Sequence, residues 1–277
     1  MADDEDFCVR FWGVRGSVPC PGRATARYGG NTSCLEVRCG SYLLIFDAGT
    51  GLRLLDDKLR ADGPVDADVF LTHTHLDHIW GWPFFTSLLE AENTCTVWAG
   101  HLRRRHSVDR VLGRLLRDPF SPVRADNMGA KLTYRHFAAG ESLEPRPGVT
   151  VRTAPLNHPN RATGYRVEFH GRSICYVTDT EHVRGEPDAN VLTLIRNADI
   201  VVYDSTYTDE EFQSHISWGH STWEEGVRLC EVAAVKTLVA FHHDPDHDDA
   251  FMDGVAAALE RVRPGSIVAR EGMTLRP

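Results

Sequence analysis

The sequence predicts an α/β (α+β) protein in which two β-sheets pack face to face and helices cover their outer faces. Short apolar runs alternate with helical stretches, and they form two strand-rich blocks that are each followed by helices. The 277 residues, 42% hydrophobic and 25% charged, are enough for a full hydrophobic core. No linker rich in proline, glycine or serine divides the chain, so we expect one domain over residues 1–277.

The first block combines strands with one helix. Apolar runs bounded by turn residues predict strands at Phe7–Trp12, Ser33–Cys39, Tyr42–Phe46 and Asp68–Thr72. A tight Gly40-Ser41 turn joins the second of these strands to the third. The spacing of Leu52, Leu55 and Leu59 predicts a helix over Thr50–Arg60.

The second block begins with strands and then alternates them with helices. The predicted strands are Val149–Ala154, Gly164–Phe169, Arg172–Thr178, Ile200–Tyr203 and Thr237–Phe241, with a hairpin turn at His170-Gly171. The predicted helices are Asn190–Asn197, Ser221–Ala234 and Asp249–Arg261. Ser221 is the expected N-cap of the second helix, in a capping box with Glu224.

One segment between the blocks is strongly basic. His101–Arg135 carries nine Lys or Arg residues against three Asp, a net charge of +6 in 35 residues. Val108, Val111, Leu112, Leu115 and Leu116 predict a helix in its first half. Two interpretations stay open: a solvated helix packed by its apolar face, or a basic lid that attracts an anionic substrate.

The overall charge excludes some classes of protein. A net charge of −9 argues against a protein that coats nucleic acid or an anionic membrane, although a local patch could still bind a polyanion. No stretch approaches the roughly 20 apolar residues that span a bilayer, and Met1–Asp6 is acidic, unlike a signal peptide. The seven cysteines form no CxxC pair, so we expect reduced thiols and a cytoplasmic protein.

A cluster of metal-ligand residues follows the strand that ends at Thr72. His73, His75, Asp77 and His78 lie within six residues, and imidazole and carboxylate suit zinc, manganese or iron. Three clustered histidines without a metal would need many hydrogen-bond partners. His158, Asp179 and His242 also follow predicted strands, where loops at one sheet edge assemble sites.

This set resembles the metallo-β-lactamase-fold hydrolases. His73-x-His75-x-Asp77-His78 matches the signature of that superfamily, and His158, Asp179 and His242 match its other metal-binding motifs in chain order. The resemblance implies a four-layer αββα sandwich that holds two divalent metal ions, zinc first and manganese or iron as alternatives. One metal would bind His73, His75 and His158, the other Asp77, His78 and His242, and Asp179 would bridge them. His243 is the alternative to His242, which we favour because the predicted strand ends there.

Two further loops resemble those that carry the general acid in RNase Z, the transfer-RNA 3′-processing endonuclease, and in related phosphodiesterases. They are Tyr203-Asp204-Ser205-Thr206 and His220-Ser221-Thr222. In those enzymes a histidine oriented by a carboxylate protonates the leaving oxygen, which implies that His220, Asp204 and the metal ligand Asp77 are catalytic here. Asp204 stands where those nucleases have glutamate, and helix capping is the alternative role of His220.

Other residues belong to segments that resemble a bacterial phosphodiesterase-like subgroup, namely Gly13–Ser17, Gly29–Ser33 and Phe241–Pro245. Glycine-rich turns let a backbone approach a ligand closely, so Arg15 or Asn31 could contact a phosphate, although turn formation explains the glycines equally well. His182 could face the substrate. Asp47, in the family's first motif, is expected to hydrogen-bond a ligand histidine rather than bind metal.

The resemblance implies a binuclear hydrolase in which a hydroxide shared by the metals attacks a phosphodiester. RNase Z enzymes normally carry a long glycine- and proline-rich arm that grips transfer RNA, and this sequence has none that we can identify. We therefore expect a small anionic phosphodiester such as a cyclic nucleotide, with no membrane partner. The alternatives are RNA processing of the RNase Z type and hydrolysis of a carboxyl ester or lactone; a non-catalytic metal-binding regulatory module is least favoured. A homodimer is compatible with the sequence, but no surface pattern argues for it.

Overall fold

The computed structural model describes residues 7–102, 106–122 and 124–277. The acidic stretch 1–6 and Arg103, Arg104 and Arg105 of the basic segment lie outside the described residues. Among those described, the strands are β1 (Phe7–Gly13), β2 (Cys34–Cys39), β3 (Tyr42–Phe46), β4 (Asp66–Leu71), β5 (Thr94–Ala99), β6 (Lys131–His136), β7 (Ser142–Arg146), β8 (Val149–Leu156), β9 (Ala162–Phe169), β10 (Arg172–Val177), β11 (Ile200–Asp204), β12 (Thr237–Phe241), β13 (Ile267–Val268) and β14 (Thr274–Leu275).

These strands form two seven-stranded mixed sheets, in the orders β14-β1-β2-β3-β4-β5-β6 and β13-β12-β11-β10-β9-β8-β7. In the first sheet β3 to β6 run parallel, and in the second β10 to β13 do. The helices are α1 (Leu52–Asp62), α2 (Leu76–Ile79), α3 (Val108–Leu115), α4 (Ala189–Ile195), α5 (Asp209–Phe212), α6 (Trp223–Val232) and α7 (Asp249–Val262).

The core between the sheets is rich in aromatic rings. Phe46 of β3 stacks on Phe70 of β4 at 5.2 Å between ring centroids, and it meets Tyr165 of β9 at 5.3 Å and Tyr176 of β10 at 6.1 Å. Rings from both sheets therefore interdigitate in one layer of side chains.

Two further apolar clusters lie outside the sheets. The first joins α1 and α3 to the first sheet, and the second joins α4, α6 and α7 to the second sheet. Leu52, Leu55 and Leu59 are buried in the first of them, as their helical spacing predicts. The predicted fold, two sheets face to face between outer helices, is confirmed.

The predicted helix cap at Ser221 is wrong by one residue. Helix α6 begins at Trp223, and the Thr222 hydroxyl accepts the hydrogen bond from the backbone N–H of Glu225 at 3.0 Å. Ser221 instead directs its hydroxyl to His182 and Tyr203, at 2.8 and 2.9 Å. Two neighbouring hydroxyl residues both suit an N-cap, and only the tertiary contacts decide between them.

The basic segment contains both a helix and a strand. Its predicted helix is present as α3, with Val108 and Leu112 buried against the first sheet. Its last residues form β6, an edge strand whose side chains are half-buried or exposed, so the segment does not form a single lid. Edge strands are often polar, and this polarity hid β6 from the sequence pattern. A lid role for the remainder stays a prediction.

Within the parts of the chain that are described, no helix combines the length and the apolar character needed to cross a membrane.

Candidate metal centre

The metal-ligand residues meet at one edge of the two sheets. Asp47 follows β3, the cluster from His73 to His78 follows β4, Asp179 follows β10 and His242 follows β12. Parallel neighbouring strands end at the same edge, so the loops after them converge there. His73 lies in the loop after β4, His75 has an extended backbone, and the short helix α2 then presents Asp77 and His78.

One group of potential ligands is purely imidazole. His73, His75 and His158 each offer one ring nitrogen, and these nitrogens lie within 4.8 Å of one another. The Nδ1 of His158 donates to the carbonyl of Gly219 at 2.8 Å, so the lone pair of the neutral ring is on Nε2. The Nε2 of His73 is buried and has no hydrogen-bond partner among the described residues. Burial lowers the pKa of His73 well below its ordinary value, which keeps this ring neutral.

The second group contains both carboxylates. Asp77, His78, Asp179 and His242 are all buried and offer ligand atoms within 4.8 Å of one another. The Nε2 of His78 is 3.2 Å from Oδ2 of Asp179 and 3.3 Å from Oδ2 of Asp77. The Nε2 of His242 is 3.3 and 3.5 Å from the same two oxygens.

The hydrogen bonds on the far side of these rings show that the second group fits a cation. His78 donates from Nδ1 to Oδ2 of Asp47 at 2.8 Å, which leaves an unprotonated Nε2 on the neutral ring. The Nδ1 of His242 lies 3.1 Å from the hydroxyl of Thr206, and that hydroxyl donates to Asp204. Both Nε2 atoms therefore face carboxylate oxygens as acceptors, without a hydrogen-bond partner in the described structure. A divalent cation between them removes this repulsion, and the donor set suits zinc, manganese or iron.

Protons compete with a metal ion for the nitrogen and oxygen atoms of this second group. Burial lowers the pKa of His78, but the charges of Asp179, Asp77 and Asp47 together raise this pKa well above its ordinary value. Asp179 shows the reverse balance, because burial raises its pKa while His242, His78 and His73 hold it well below the usual range. The centre is thus built to hold positive charge, supplied either by protons or by metal.

Asp179 lies between the two groups. Its Oδ1 is 3.7 Å from the Nε2 of His73 and 3.7 Å from that of His158, whereas its Oδ2 faces His78 and His242. Asp179, His242 and Asp47 also adopt left-handed backbone conformations, with φ of 57°, 66° and 60°. Such conformations cost roughly 1–3 kcal/mol each and cluster at functional sites. Nothing in the residue pattern revealed this strain.

His220 and Asp204 form a hydrogen-bonded pair beside this centre. The Nδ1 of His220 is 3.0 Å from Oδ2 of Asp204 and 3.9 Å from Oδ1 of Asp179. Asp204 is fully buried and also accepts hydrogen bonds from the backbone N–H and hydroxyl of Thr206. Burial lowers the pKa of His220, but the charges of Asp204 and Asp179 outweigh it and raise this pKa to about 9.

Two loops contact the ligands in ways that the sequence did not predict. The backbone N–H of Ser17 donates to Oδ2 of Asp77 at 2.8 Å, and a Cβ on Gly16 would lie 2.4 Å from the His242 ring. A Cβ on Gly219 would lie 2.4 Å from Nδ1 of His158. The glycines of the Gly13–Ser17 segment were the available signal, but Gly16 allows a close approach to the ligand histidine His242 and Gly13 a close approach to the backbone of Thr32.

The three residues predicted to contact the substrate, Arg15, Asn31 and His182, all make hydrogen bonds to other residues of the protein. Arg15 is fully buried and donates to the carbonyls of Gly29, Asp244 and His247. Both the backbone and side-chain nitrogens of Asn31 donate to Glu271. His182 is buried, pairs with Ser221 and stacks on Phe212 at 4.1 Å. These contacts favour structural roles for all three residues, although Nη2 of Arg15 is buried without a hydrogen-bond partner among the described residues.

Asp47 and His243 were also singled out by the sequence. Asp47 accepts hydrogen bonds from His78, from Thr72 and from the hydroxyl of Tyr176, so it holds the face of His78 that is turned away from the centre. His243 is buried and donates from Nε2 to the carbonyl of Ala269 at 2.9 Å. It is not among the grouped ligand atoms, which favours His242 as the ligand.

A cleft of about 740 Å³ opens beside the first group. His73, His75 and His158 line one end, and Arg114 of α3 and Arg161 contribute positive charge to its wall. The cleft therefore leads an anion to the imidazole group.

Comparison with known proteins agrees with this architecture. A family model described as the beta-lactamase superfamily domain matches residues 42–243. Ribonuclease Z of Myxococcus xanthus (strain DK1622) is 23% identical over 290 aligned positions, covering 88% of this chain and 92% of that protein. The metallo-beta-lactamase fold protein YhfI from Bacillus subtilis has a TM-score of 0.72 at 19% identity, covering 97% of this chain and 98% of that one. A diphosphatase of the PhnP family has a TM-score of 0.70 at 19% identity, with 98% of each chain covered.

The two solved structures share the fold with this chain. The family match extends over most of the sequence, from β3 to the residue after His242. The protein therefore belongs to the beta-lactamase superfamily and has the metallo-β-lactamase fold.

Proposed function

We propose that this protein is a metal-dependent hydrolase that cleaves small phosphodiesters, of which cyclic nucleotides are one example. The observation that carries the proposal is the His220–Asp204 pair, 3.9 Å from the carboxylate that lies between the two ligand groups. Cleavage of an alkyl phosphodiester expels an alkoxide from phosphorus, and a positioned acid such as His220 can protonate that oxygen as it departs.

The residues divide the work between metal binding and proton transfer. His73, His75 and His158 would hold one ion, Asp77, His78 and His242 a second, and Asp179 both. Divalent ions bound there act as Lewis acids toward the phosphoryl group and toward water. Asp77 is held by the Ser17 N–H, and Asp47 fixes the ring of His78, so the protein presents these ligands already oriented.

His220 is the proton donor in this proposal. Asp204 engages Nδ1, so Nε2 is the nitrogen that can reach a substrate oxygen. The raised pKa of His220, about 9, keeps the ring protonated at neutral pH. A positioned acid of this kind contributes typically 10²–10⁴-fold to the rate.

The size of the substrate is inferred from the cleft. A volume of about 740 Å³ lies in the range of small-molecule sites, roughly 300–1,000 Å³. The name of the relative, ribonuclease Z, supports phosphodiester chemistry and keeps RNA as the alternative substrate. The diphosphatase name of a structural neighbour is compatible with a small phosphorylated compound.

The first test compares two chromogenic substrates. Purified protein is assayed with bis(p-nitrophenyl) phosphate and with a p-nitrophenyl carboxylic ester, each before and after metal stripping and after metal is restored. We expect metal-dependent turnover of the phosphodiester and little turnover of the ester. The reverse preference would assign the protein to ester or lactone hydrolysis, and the absence of turnover on both would favour a regulatory module.

A further inference from the structure

A second cavity continues the cleft away from the metal centre. It has a volume of about 860 Å³, and we call it the Phe137 pocket. Its wall shares His101, Leu102, His106 and Arg161 with the cleft, so the two spaces adjoin. The rings of His73 and His101 are 6.5 Å apart, which is a short distance on the scale of a nucleotide.

The Phe137 pocket differs from the cleft in its chemistry. Its apolar wall comes from Phe137, Ala138, Ala139, Pro155, Leu156 and Ala162. The Phe137 ring is supported from behind by Tyr165, at 6.4 Å in an edge-on arrangement. Leu156 and Ala162, at the ends of the paired strands β8 and β9, are buried. A rigid apolar wall with an aromatic ring suits a planar, weakly polar group.

The charges suit a ligand that carries a phosphate at one end. Arg161 lines both the cleft and the Phe137 pocket, so its positive charge lies where the two spaces meet. The carboxylate of Glu141, on the pocket wall, is engaged by the backbone N–H of Ala138 at 3.0 Å. A phosphate in the cleft is therefore attracted to Arg161 while the group attached to it extends over Phe137.

The position of His220 indicates which half of the substrate enters. Its ring lies 5.4 Å from His158 and 5.0 Å from His242, and among the described residues it lines neither the cleft nor the Phe137 pocket. In the proposed function the leaving group departs beside His220. The residues that His220 contacts, Asp204, His158, Tyr207 and His242, do not line the Phe137 pocket, so we assign this pocket to the half that keeps the phosphate.

We propose that the Phe137 pocket binds a planar aromatic group of the nucleobase type on the half of the phosphodiester that keeps the phosphate. This inference rests on the proposed function for the direction of cleavage. It makes the substrate class a nucleoside phosphodiester and makes Phe137 and its neighbours the residues that select it.

The test varies the retained half alone. Thymidine 5′-(p-nitrophenyl phosphate) and ethyl p-nitrophenyl phosphate release the same p-nitrophenol, so they differ only in the group that would enter the pocket. We expect kcat/KM to favour the thymidine ester by about tenfold or more, the gain typical of one stacked base. Equal kcat/KM values for the two esters would overturn the proposal.

The variants Ala138→Trp and Ala138→Ser separate the pocket from the catalytic centre. Ala138 is exposed, and its hydrogen bond to Glu141 uses the main chain, so neither change disturbs the core. Ala138→Trp should fill the pocket, raise KM for the thymidine ester and abolish the preference for it over the ethyl ester. Ala138→Ser should keep the preference. An unchanged preference in Ala138→Trp would contradict the assignment.

A binding measurement distinguishes failure of this inference from failure of the proposed function. If neither ester is hydrolysed, the proposed function fails, and the pocket is then judged by calorimetry on the metal-loaded protein. We expect thymidine 5′-monophosphate to bind more tightly than ethyl phosphate, and Ala138→Trp to remove that difference. Equal affinities of the wild type for both ligands would overturn the assignment of the Phe137 pocket, whatever the outcome for the proposed function.

Discussion

At the scale of single residues, the role of each histidine depends on which of its ring nitrogens is hydrogen-bonded within the protein. His78, His158 and His220 each use Nδ1 for a hydrogen bond within the protein, to Asp47, Gly219 and Asp204. In each ring Nε2 is left for a metal or a substrate. Burial lowers the pKa of both His158 and His220, but at His220 the charge of the buried Asp204 outweighs burial, whereas at His158 burial outweighs the hydrogen bond to the Gly219 carbonyl.

The first prediction concerns His220. Replacing it with alanine removes the proton donor but none of the seven proposed metal ligands. We expect His220→Ala to bind metal as the wild type does, and to lose about 3–5 kcal/mol of barrier reduction on substrates with alkoxide leaving groups. Loss on p-nitrophenyl esters should be much smaller, because p-nitrophenolate departs without a proton.

Metal content and kcat, measured on both substrate types, check this prediction. Asp204→Asn is the matched variant, since it keeps the shape of the partner and removes its charge. The kcat of Asp204→Asn on substrates with alkoxide leaving groups should lie between those of the wild type and His220→Ala. Full activity of His220→Ala on those substrates would show that His220 is not the proton donor.

Residue identity alone did not reveal the surroundings of some predicted site residues. Arg15 and His182 carry groups that can bind phosphate, and burial was the missing information: both are enclosed and engaged with protein partners. The cluster from His73 to His78 was recognisable because few structures other than a metal site need three histidines and a carboxylate in six residues. Single residues were assignable only where their neighbours in sequence were also their neighbours in space.

At the scale of elements, loops that carry none of the proposed metal-binding side chains still help to fix the positions of those side chains. Gly16 packs against the ring of His242, where a Cβ would be 2.4 Å away. We expect Gly16→Ala to displace His242 and weaken metal binding at the second group by about 10–100-fold, the effect usual for residues that orient ligands. The imidazole group of His73, His75 and His158 should keep its metal affinity.

Metal titration of the stripped protein, read by calorimetry, measures this effect. Gly22→Ala is the control in the same segment, because a Cβ there meets no atom of the described residues within 4 Å. It should bind metal like the wild type. Equal binding by Gly16→Ala and Gly22→Ala would show that the close approach of Gly16 is not required.

A carboxylate links three strands of the second sheet at the end opposite to the metal-ligand residues. Asp199 precedes β11 and accepts hydrogen bonds from the Ser173 backbone N–H of β10 at 2.7 Å and from Lys236, before β12, at 2.6 Å. Burial raises the pKa of Asp199, but these two partners outweigh it and lower this pKa below its ordinary value of 3.8. The stabilisation is present above that ordinary value and is lost as the pH falls through the lowered pKa.

Asp199→Asn should therefore reduce the free energy of unfolding by about 1–3 kcal/mol at neutral pH. The difference from the wild type should shrink as the pH falls below the ordinary pKa of an aspartate. Urea unfolding of both proteins across this pH range measures the difference. A difference that does not change with pH would mean that the charge of Asp199 does not stabilise the sheet.

Elements differ in how visible they are in the sequence. The buried strands β3, β4, β10, β11 and β12 are continuous apolar runs, and the structure has all of them. Strands β5, β6, β7, β13 and β14 were not predicted. β6 is a half-exposed edge strand, β7 is short and contains Pro145, and β13 and β14 have two residues each, whereas nothing in the structure explains why β5 was missed. The sequence thus predicted the strands that precede the grouped histidines and aspartates better than those next to the Phe137 pocket.

At the scale of the whole molecule, the arrangement of layers followed from the order of the elements. Two blocks of strands with intervening helices can bury their apolar faces in few ways, and two sheets between outer helices is one of them. Strand order and the close approach of Gly16 and Gly219 depend on contacts between residues far apart in sequence. They could not be derived from local patterns.

Net charge over the whole molecule bears on the choice between a small substrate and RNA. The protein carries −9 overall, so a polyanion is repelled except near local positive charge such as that of Arg114 and Arg161. Each phosphate of a single strand that a protein neutralises adds about 0.7 to the slope of log affinity against log salt. A small phosphodiester in the cleft presents one phosphate, so we expect log kcat/KM to fall with a slope of about 1 or less.

The slope is measured for a cyclic nucleotide and for a structured RNA over a series of potassium chloride concentrations. Arg114→Ala should lower kcat/KM for the small substrate and flatten its slope, because Arg114 lines the cleft. Arg110→Ala, an exposed position on the same helix that is not among the residues lining the cleft, should leave both unchanged. Efficient RNA cleavage with a steep slope, unaffected by Arg114→Ala, would contradict the small-substrate proposal. RNA would then bind over a surface much wider than the cleft, and the protein would process it as an RNase Z-type enzyme.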